Sequence, residues 1–177
     1  MVIGACGVPR DPQVRVIDLL KTGMAEQRPI KAEFHLDEHT FGTDTRATLV
    51  VPPDSRAIWQ MELPRRATLN TSVGVTGAAE SDAATFRIGI SDERVYEPLL
   101  ERSVTVGDCA RGWIPLSADL SRYAGWQWSL FYRPDGRQWR IVLAVSRVGG
   151  APDKAFWAAP GIDTDRAAAR RFARAAE

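Results

Sequence analysis

Three aromatic residues near predicted loops are the most promising binding groups in this sequence: Tyr96, Trp113 and Trp139. A sugar ring has apolar C–H faces that stack on flat aromatic rings, while polar neighbours bond its hydroxyls. The polar residues near these rings, which complete the candidate ligand-binding set, are Arg94, Asp108 and Arg137. The alternative is that the rings pack between sheets or shield a sheet edge.

A second cluster has the residue types of a metal site. In a strand, His35, Asp37 and His39 face the same way, and zinc accepts histidine and carboxylate ligands. The cluster is not the helical HExxH pattern, because no glutamate follows the first histidine. A polar strand end is the simpler interpretation, and we expect no metal here. Asp119 is similarly interpreted as stabilising the turn that follows it, with calcium ligation as the alternative.

Catalytic patterns are poorly represented. The chain has two histidines and lacks the G-x-S-x-G elbow of serine hydrolases. A glycosidase needs two carboxylates across a cleft, and nothing in the sequence pairs any two of them. Residues 4–7, "GACG", lack the lysine and the preceding strand of a phosphate-binding loop. We therefore expect a protein that is not an enzyme and uses no cofactor.

Length and charge fit one globular domain. The 177 residues are 45% hydrophobic and 25% charged, and the formal net charge is +1. So small a net charge predicts no nucleic-acid partner and no general attraction to anionic lipid. No apolar run approaches the roughly 18 residues that a membrane-spanning helix needs.

Short segments of alternating hydrophobicity, separated by turns, predict an all-β, antiparallel two-sheet sandwich. In Arg56–Leu63, for example, Trp59 and Met61 lie on one face and Gln60 and Glu62 on the other. Pro98 cannot donate a ladder hydrogen bond, which predicts that Val95–Glu101 is an edge strand. "PDG" at 134–136 predicts a hairpin turn. The remaining predicted strands are Lys31–Leu36, Ala47–Val51, Ala67–Val75, Thr85–Ser91, Ser103–Val106, Trp113–Leu120, Trp126–Tyr132, Trp139–Val145 and Ala155–Trp157.

The two ends of the chain differ from this pattern. Residues 1–30 are predicted to be a leader or tether that includes a short amphipathic helix over Val14–Gln27. Residues 31–162 form the predicted jelly-roll domain. Residues 163–177 are predicted to be an Ala/Arg-rich helical tail that an aspartate caps. Its arginine face could touch a phosphate polymer, although a solvated helix is the simpler interpretation.

Four segments carry a family resemblance: "SRAIWQMELPRRATLNTSVGV", "ATFRIGI", "GWIPLSADLSRYAG" and "FWAAPGI". In order and spacing they resemble the galactose-binding-like jelly rolls, a class that includes carbohydrate-binding modules of bacterial envelope proteins. The resemblance implies a two-sheet jelly roll with sugar or calcium bound in some members and neither in many. It also implies a relation to accessory domains of sulfatase-like enzymes. No binding motif is matched, so no binding residue is carried over from the family.

The segment "VIGACG" at residues 2–7 resembles the end of a bacterial lipoprotein signal, with small residues before Cys6. The charged start and long apolar stretch of a complete signal are missing. We expect lipid attachment at Cys6 and a place in the cell envelope, as a periplasmic or outer-membrane-anchored protein. The alternatives are a chance cysteine at a frayed terminus, or a disulfide between Cys6 and Cys109.

The sequence therefore predicts a non-catalytic binding module that recognises carbohydrate through loops at one end of the sandwich. The alternatives are an assembly protein that binds another envelope protein, and an accessory domain of a sulfatase-like enzyme. The sequence does not predict the oligomeric state.

Overall fold

The computed structural model describes residues 13–92, 94–124 and 138–175, which form two antiparallel sheets packed face to face. The six-stranded sheet contains β1 (Gln13–Asp18), β3 (His35–Phe41), β4 (Asp44–Val51), β6 (Thr68–Thr76), β9 (Ile114–Asp119) and β11 (Lys154–Asp165). The five-stranded sheet contains β2 (Glu26–Arg28), β5 (Ser55–Met61), β7 (Ala83–Ser91), β8 (Tyr96–Thr105) and β10 (Trp139–Gly149). The helices are α1 (Val106–Cys109) and α2 (Arg166–Ala175).

The strand order alternates between distant parts of the chain, as in a jelly roll. One sheet runs β3-β4-β11-β6-β9, with β1 paired to the C-terminal half of β11, and the other runs β2-β5-β10-β7-β8. The predicted all-β, antiparallel two-sheet jelly roll is confirmed. Pro98 lies on β8, which is an edge strand as its missing N–H requires.

Large side chains from alternate strand positions fill the space between the sheets. Trp157 on β11 meets Phe86 on β7 edge to face, with ring centroids 5.1 Å apart. Trp59 is also buried, and its Nε1 donates to the carbonyls of Leu19 and Thr22, which fixes the loop after β1. The core positions predicted for Trp59 and Trp157 are confirmed. Trp128, predicted for the core as well, lies outside the described residues, as does the predicted hairpin.

The helix predicted over Val14–Gln27 is wrong. Residues 13–18 form β1, which pairs with the end of β11, and residues 26–28 form β2. The register of β1 shifts between Arg15 and Ile17, so Val16 is an extra residue in the strand. Such a bulge interrupts strict alternation and produces a spacing that resembles a helix. The part of the predicted tether from residue 13 onward thus belongs to the two sheets.

The C-terminal elements are a strand and a helix, as predicted, but the strand is longer than predicted. The strand predicted over Ala155–Trp157 is the start of the 12-residue β11. Its register shifts between Ala158 and Gly161, where Ala159 has a positive φ of 43°. The helical tail is confirmed as α2, and Asp165 caps it by accepting a 2.8 Å hydrogen bond from the Ala168 N–H. Neither described helix has the length and apolar character needed to cross a membrane.

Candidate functional site

The outward face of the five-stranded sheet consists of cross-strand rows, and one row is rich in arginine. The strand registers place Arg28, Arg56, Ala144 and Arg87 side by side on β2, β5, β10 and β7, with Glu101 at the β8 edge. Neighbouring strands lie about 4.8 Å apart, so the backbones of Arg56 and Arg87, two strands from one another, are roughly 10 Å apart with Ala144 between them. The small Ala144 side chain leaves a depression between the two guanidinium groups.

The next row along the same face begins with Glu26 on β2 and is otherwise apolar. It continues with Ile58, Val142, Gly89 and Pro98 on β5, β10, β7 and β8. Val142 of this row, together with the arginine row, borders a groove of about 370 Å³, which we call the sheet-face groove. The residues that line it are Asp54, Ser55, Arg56, Arg87, Tyr96, Val142, Ala144, Val145 and Ser146.

Tyr96 lies in this groove because Gly89 has no side chain. A Cβ built on Gly89 would lie 2.5 Å from the Tyr96 Cζ and closer still to Cε2 and the hydroxyl oxygen. The outer part of the phenol therefore lies directly over the Gly89 backbone, on the outside of the sheet. The side chain is nevertheless 47% exposed. Tyr96 is thus an aromatic surface held by the sheet and open to solvent.

The electrostatics keep the Tyr96 hydroxyl protonated. The pKa of Tyr96 is raised, chiefly by burial and to a smaller extent by Glu101, while the nearby Arg87 and Arg56 charges act to lower it. A neutral phenol can both donate and accept a hydrogen bond at neutral pH. The ring can therefore stack on an apolar sugar face while its hydroxyl bonds a polar group beside that face.

The charged groups of the groove differ in how they are paired. Arg87 donates from Nε to Glu101 at 2.6 Å and from a terminal nitrogen to Ser146 at 2.8 Å. At the rim, the Arg147 backbone N–H donates to Asp54 at 2.9 Å. Arg56 is exposed, and its side chain has no hydrogen bond or ion pair within the described ranges. Arg56 is therefore available to a ligand.

The other hollows in the described ranges do not combine these features. One of about 340 Å³ lies near α1, where Asp108, Arg111 and Trp113 contribute to its wall. A wider one of about 550 Å³ lies beside β3 and β4, and Leu20 and Leu36 contribute its apolar surface. That hollow has no aromatic residue in its lining. Another, of about 290 Å³, is lined by the half-buried Phe34, the exposed His35 and the buried Trp59, and no arginine lines it.

The structure separates the three aromatic residues that the sequence analysis grouped. Trp113 is 8% exposed and packs edge-on against Phe41, with centroids 4.7 Å apart, on the outward face of the six-stranded sheet. Phe41 lies over Gly74, where an added Cβ would overlap its ring. Trp113 Nε1 donates to the Asp44 carbonyl at 2.9 Å. The ring faces of Trp113 are used in packing, which is the alternative that the sequence left open.

Trp139 lies at the end of the sandwich, half-buried at the start of β10. It contacts Tyr123 edge to face at 5.1 Å, and the Tyr123 hydroxyl donates to Glu97 at 2.5 Å. Arg122 also pairs with Glu97 and lies 4.8 Å from the centre of the Tyr123 ring. Trp139 therefore belongs to a polar–aromatic cap on the core, which is separate from the Trp113 cluster.

The polar residues of the predicted set are also dispersed. The Arg94 backbone N–H bonds the Asp92 side chain in the turn before β8, and the Arg94 side chain is exposed. Asp108 accepts from the Thr105 N–H at 2.9 Å in the capping box of α1, and this hydrogen bond lowers the pKa of its carboxyl group. Arg137 lies outside the described residues. The binding role of the six residues is untested.

One member of the histidine cluster, His39, has a packing role. The His39 ring stacks on Phe156 with centroids 4.1 Å apart, and burial lowers the pKa of His39. Within the described ranges, no three histidine, cysteine or acidic side chains form a group that could hold a metal ion. Asp119 accepts a 2.8 Å hydrogen bond from the Ser121 N–H, which is the turn-stabilising contact expected for it.

Cys109 is a free, buried thiol, and burial raises its pKa. The Val75 N–H donates to its sulfur at 3.4 Å. Cys6 lies outside the described residues, so lipid attachment there and the envelope location stay predictions.

Comparison with solved structures identifies the fold. The CBM51-2 and INT domains of Clostridium perfringens ZmpB, in complex with GlcNAc, match with a TM-score of 0.60 at 12% identity. The match covers 87% of this chain and 32% of that chain. The CBM22-1-GH10 modules of Clostridium thermocellum Xyn10B, complexed with xylohexaose, match with a TM-score of 0.52 at 13% identity, over 88% and 29% of the two chains. The chain has the two-sheet jelly-roll fold of these carbohydrate-binding modules.

This chain spans about a third of the length of each of these two solved chains. No known protein family matches its sequence, and no curated protein is similar to it in sequence. The sequence analysis identified Tyr96 in the groove but missed Arg56, Arg87 and Gly89. Alternation does predict that Arg56 and Arg87 point outward, whereas their common row depends on the register of β10 between them.

Proposed function

We propose that this chain is a non-catalytic carbohydrate-binding module that holds a glycan in the sheet-face groove. The observation that carries the proposal is the Tyr96 ring, held over Gly89 and still open to solvent. An exposed ring of this kind offers a flat apolar surface with one polar end, which suits stacking of a sugar. Arg56, Arg87 and Ser146 lie around it as hydrogen-bonding groups for sugar hydroxyls.

The fold supports the proposal independently of the groove. The jelly-roll neighbours carry names or ligands of carbohydrate recognition, GlcNAc in one and xylohexaose in another. The loop-end site predicted from the sequence is the competing location. Its rings lie in different clusters, and the Trp113 ring is buried.

An array of immobilised glycans first identifies an oligosaccharide that the protein binds. Two single substitutions then distinguish the sheet-face groove from the loop end as its binding site. Gly89→Ala pushes the Tyr96 ring away from the sheet, so we expect at least a 10-fold loss of affinity, about 1.4 kcal/mol. The displaced atoms are the mobile far end of a side chain, and the strand accepts alanine, so the thermal midpoint should change little. Asp108→Ala alters the loop end and should leave affinity within about 2-fold.

Isothermal titration calorimetry of both variants against the same oligosaccharide gives the result. A loss confined to Asp108→Ala would move the site to the loop end. Absence of binding to every glycan on the array, by a folded wild-type chain, would contradict the carbohydrate-binding proposal itself.

A further inference from the structure

Resting on the proposed function, we infer that the sheet-face groove selects an anionic carbohydrate, one whose sugar carries a carboxylate or a sulfate. The evidence is the distribution of charge over the outward face of the five-stranded sheet. Among the described residues of this face and its groove, five arginines stand against three acidic residues: Arg28, Arg56, Arg87, Arg140 and Arg147 against Glu26, Asp54 and Glu101. The face therefore has an excess of two positive charges, while the whole chain has +1.

One of the two excess charges lies at Arg56, and the other is shared by Arg28 and Arg140, which pair with the single carboxylate of Glu26. Glu26 pairs with both Arg28 and Arg140, and Glu101 pairs with Arg87. In the described part of the chain Asp54 also lines the groove and pairs with Arg147, and none of these three carboxylates is paired with Arg56. Arg56 is left as an exposed guanidinium with its donors unused.

The position of Arg56 makes this charge unfavourable in the free protein. Arg28 lies directly opposite Arg56 on the neighbouring strand, and like charges at opposed positions destabilise a sheet. Arg87 lies two strands away in the same row, across Ala144. An anionic group bound above Ala144 would relieve this repulsion, whereas a hydroxyl would do so only weakly.

The chemistry of arginine matches the groups proposed. A guanidinium presents paired N–H donors that fit the two oxygens of a carboxylate or sulfate, and such charge-assisted bonds are roughly twice as strong as neutral ones. Tyr96 lies beside this row, and the charges of Arg56 and Arg87 both act on its hydroxyl. A sugar ring stacked on Tyr96 would therefore hold a substituent within reach of Arg56.

The test uses two matched pairs of probes at low and at physiological salt: oligogalacturonate with its carboxyl-reduced form, and a sulfated galactan with its desulfated form. For the intact wild-type chain we expect the anionic member of at least one pair to bind about 10-fold more tightly. The pair that shows the preference tells whether the groove selects a carboxylate or a sulfate. The preference should shrink as salt rises, because ions screen exposed charges.

Arg56→Gln removes the charge and keeps a polar side chain of similar reach. It should reduce the preference to about 2-fold, because the variant loses more affinity for the anionic probe than for the neutral one. Arg170→Gln removes the same charge from α2, away from this sheet, and should preserve the preference. Calorimetry measures both.

Equal affinity for both members of both pairs would overturn the inference and leave the proposed function intact. A preference that falls equally in Arg56→Gln and Arg170→Gln would also overturn it, because the attraction would then be general. Failure of the wild-type chain to bind any glycan would remove the proposed function and this inference with it.

Discussion

Replacement of Trp157 by alanine is expected to lower the free energy of unfolding by about 3–5 kcal/mol, the usual cost of truncating a large buried aromatic side chain. Trp157 is 0% exposed and lies on β11, the strand shared by β4, β6 and β1. Its ring meets Phe86 of the opposite sheet at an interplanar angle of 86°. The substitution would open a cavity between the two sheets where they contact most closely.

Urea unfolding followed by far-ultraviolet circular dichroism measures this loss. Trp157→Phe is the informative second variant, because the Trp157 Nε1 is buried and has no hydrogen-bond partner among the described residues. A phenylalanine removes that unpaired N–H and retains most of the ring, so we expect a cost of less than about 1.5 kcal/mol. A loss below 1 kcal/mol for Trp157→Ala would contradict the packing described here.

Replacement of Tyr96 by alanine is expected to weaken glycan binding by about 30-fold, equivalent to about 2 kcal/mol. The substitution removes the aromatic surface that lies over Gly89 and the hydroxyl that lies near Arg87 and Arg56. The ring is half exposed and packs on the outside of the sheet, so the thermal midpoint should fall only slightly. Calorimetric titration with the bound oligosaccharide measures the affinity.

One further substitution separates the contribution of the ring from that of its hydroxyl, and another serves as a control. Tyr96→Phe keeps the stacking surface and loses one hydrogen bond, for which we expect about a 5-fold loss, near 1 kcal/mol. Val148→Ala is the matched control, because Val148 is an exposed apolar residue, at 59%, on β10 of the same sheet. Wild-type affinity in Tyr96→Ala would exclude the sheet-face groove as the binding site.

The sequence was sufficient for the strands in which larger apolar residues alternate with small or polar ones. In β5, β6 and β7 the alternation persists over seven to nine residues, and the predicted and observed spans agree within two residues at each end. The prediction failed where an extra residue interrupts the two-residue alternation of a strand. The bulge at Val16 made β1 resemble a helix, and the irregularity between Ala158 and Gly161 concealed the length of β11.

The site was less predictable because it depends on contacts between strands far apart in sequence. Tyr96 was named from its residue type and its place near a loop, but Gly89, which supports its ring, is inconspicuous in the sequence. Trp113 was placed at a loop end for the same reason. Its burial depends on Phe41 crossing Gly74, a contact between β3 and β6 that local patterns do not contain.

The most direct test of the sheet-face groove is a titration of isotopically labelled protein with the bound oligosaccharide, followed by amide chemical shifts. The account predicts that the largest shifts occur at Gly89, Tyr96, Arg56 and Ala144, on four strands of one sheet. Shifts confined to α1 and the residues around Asp108 would contradict it.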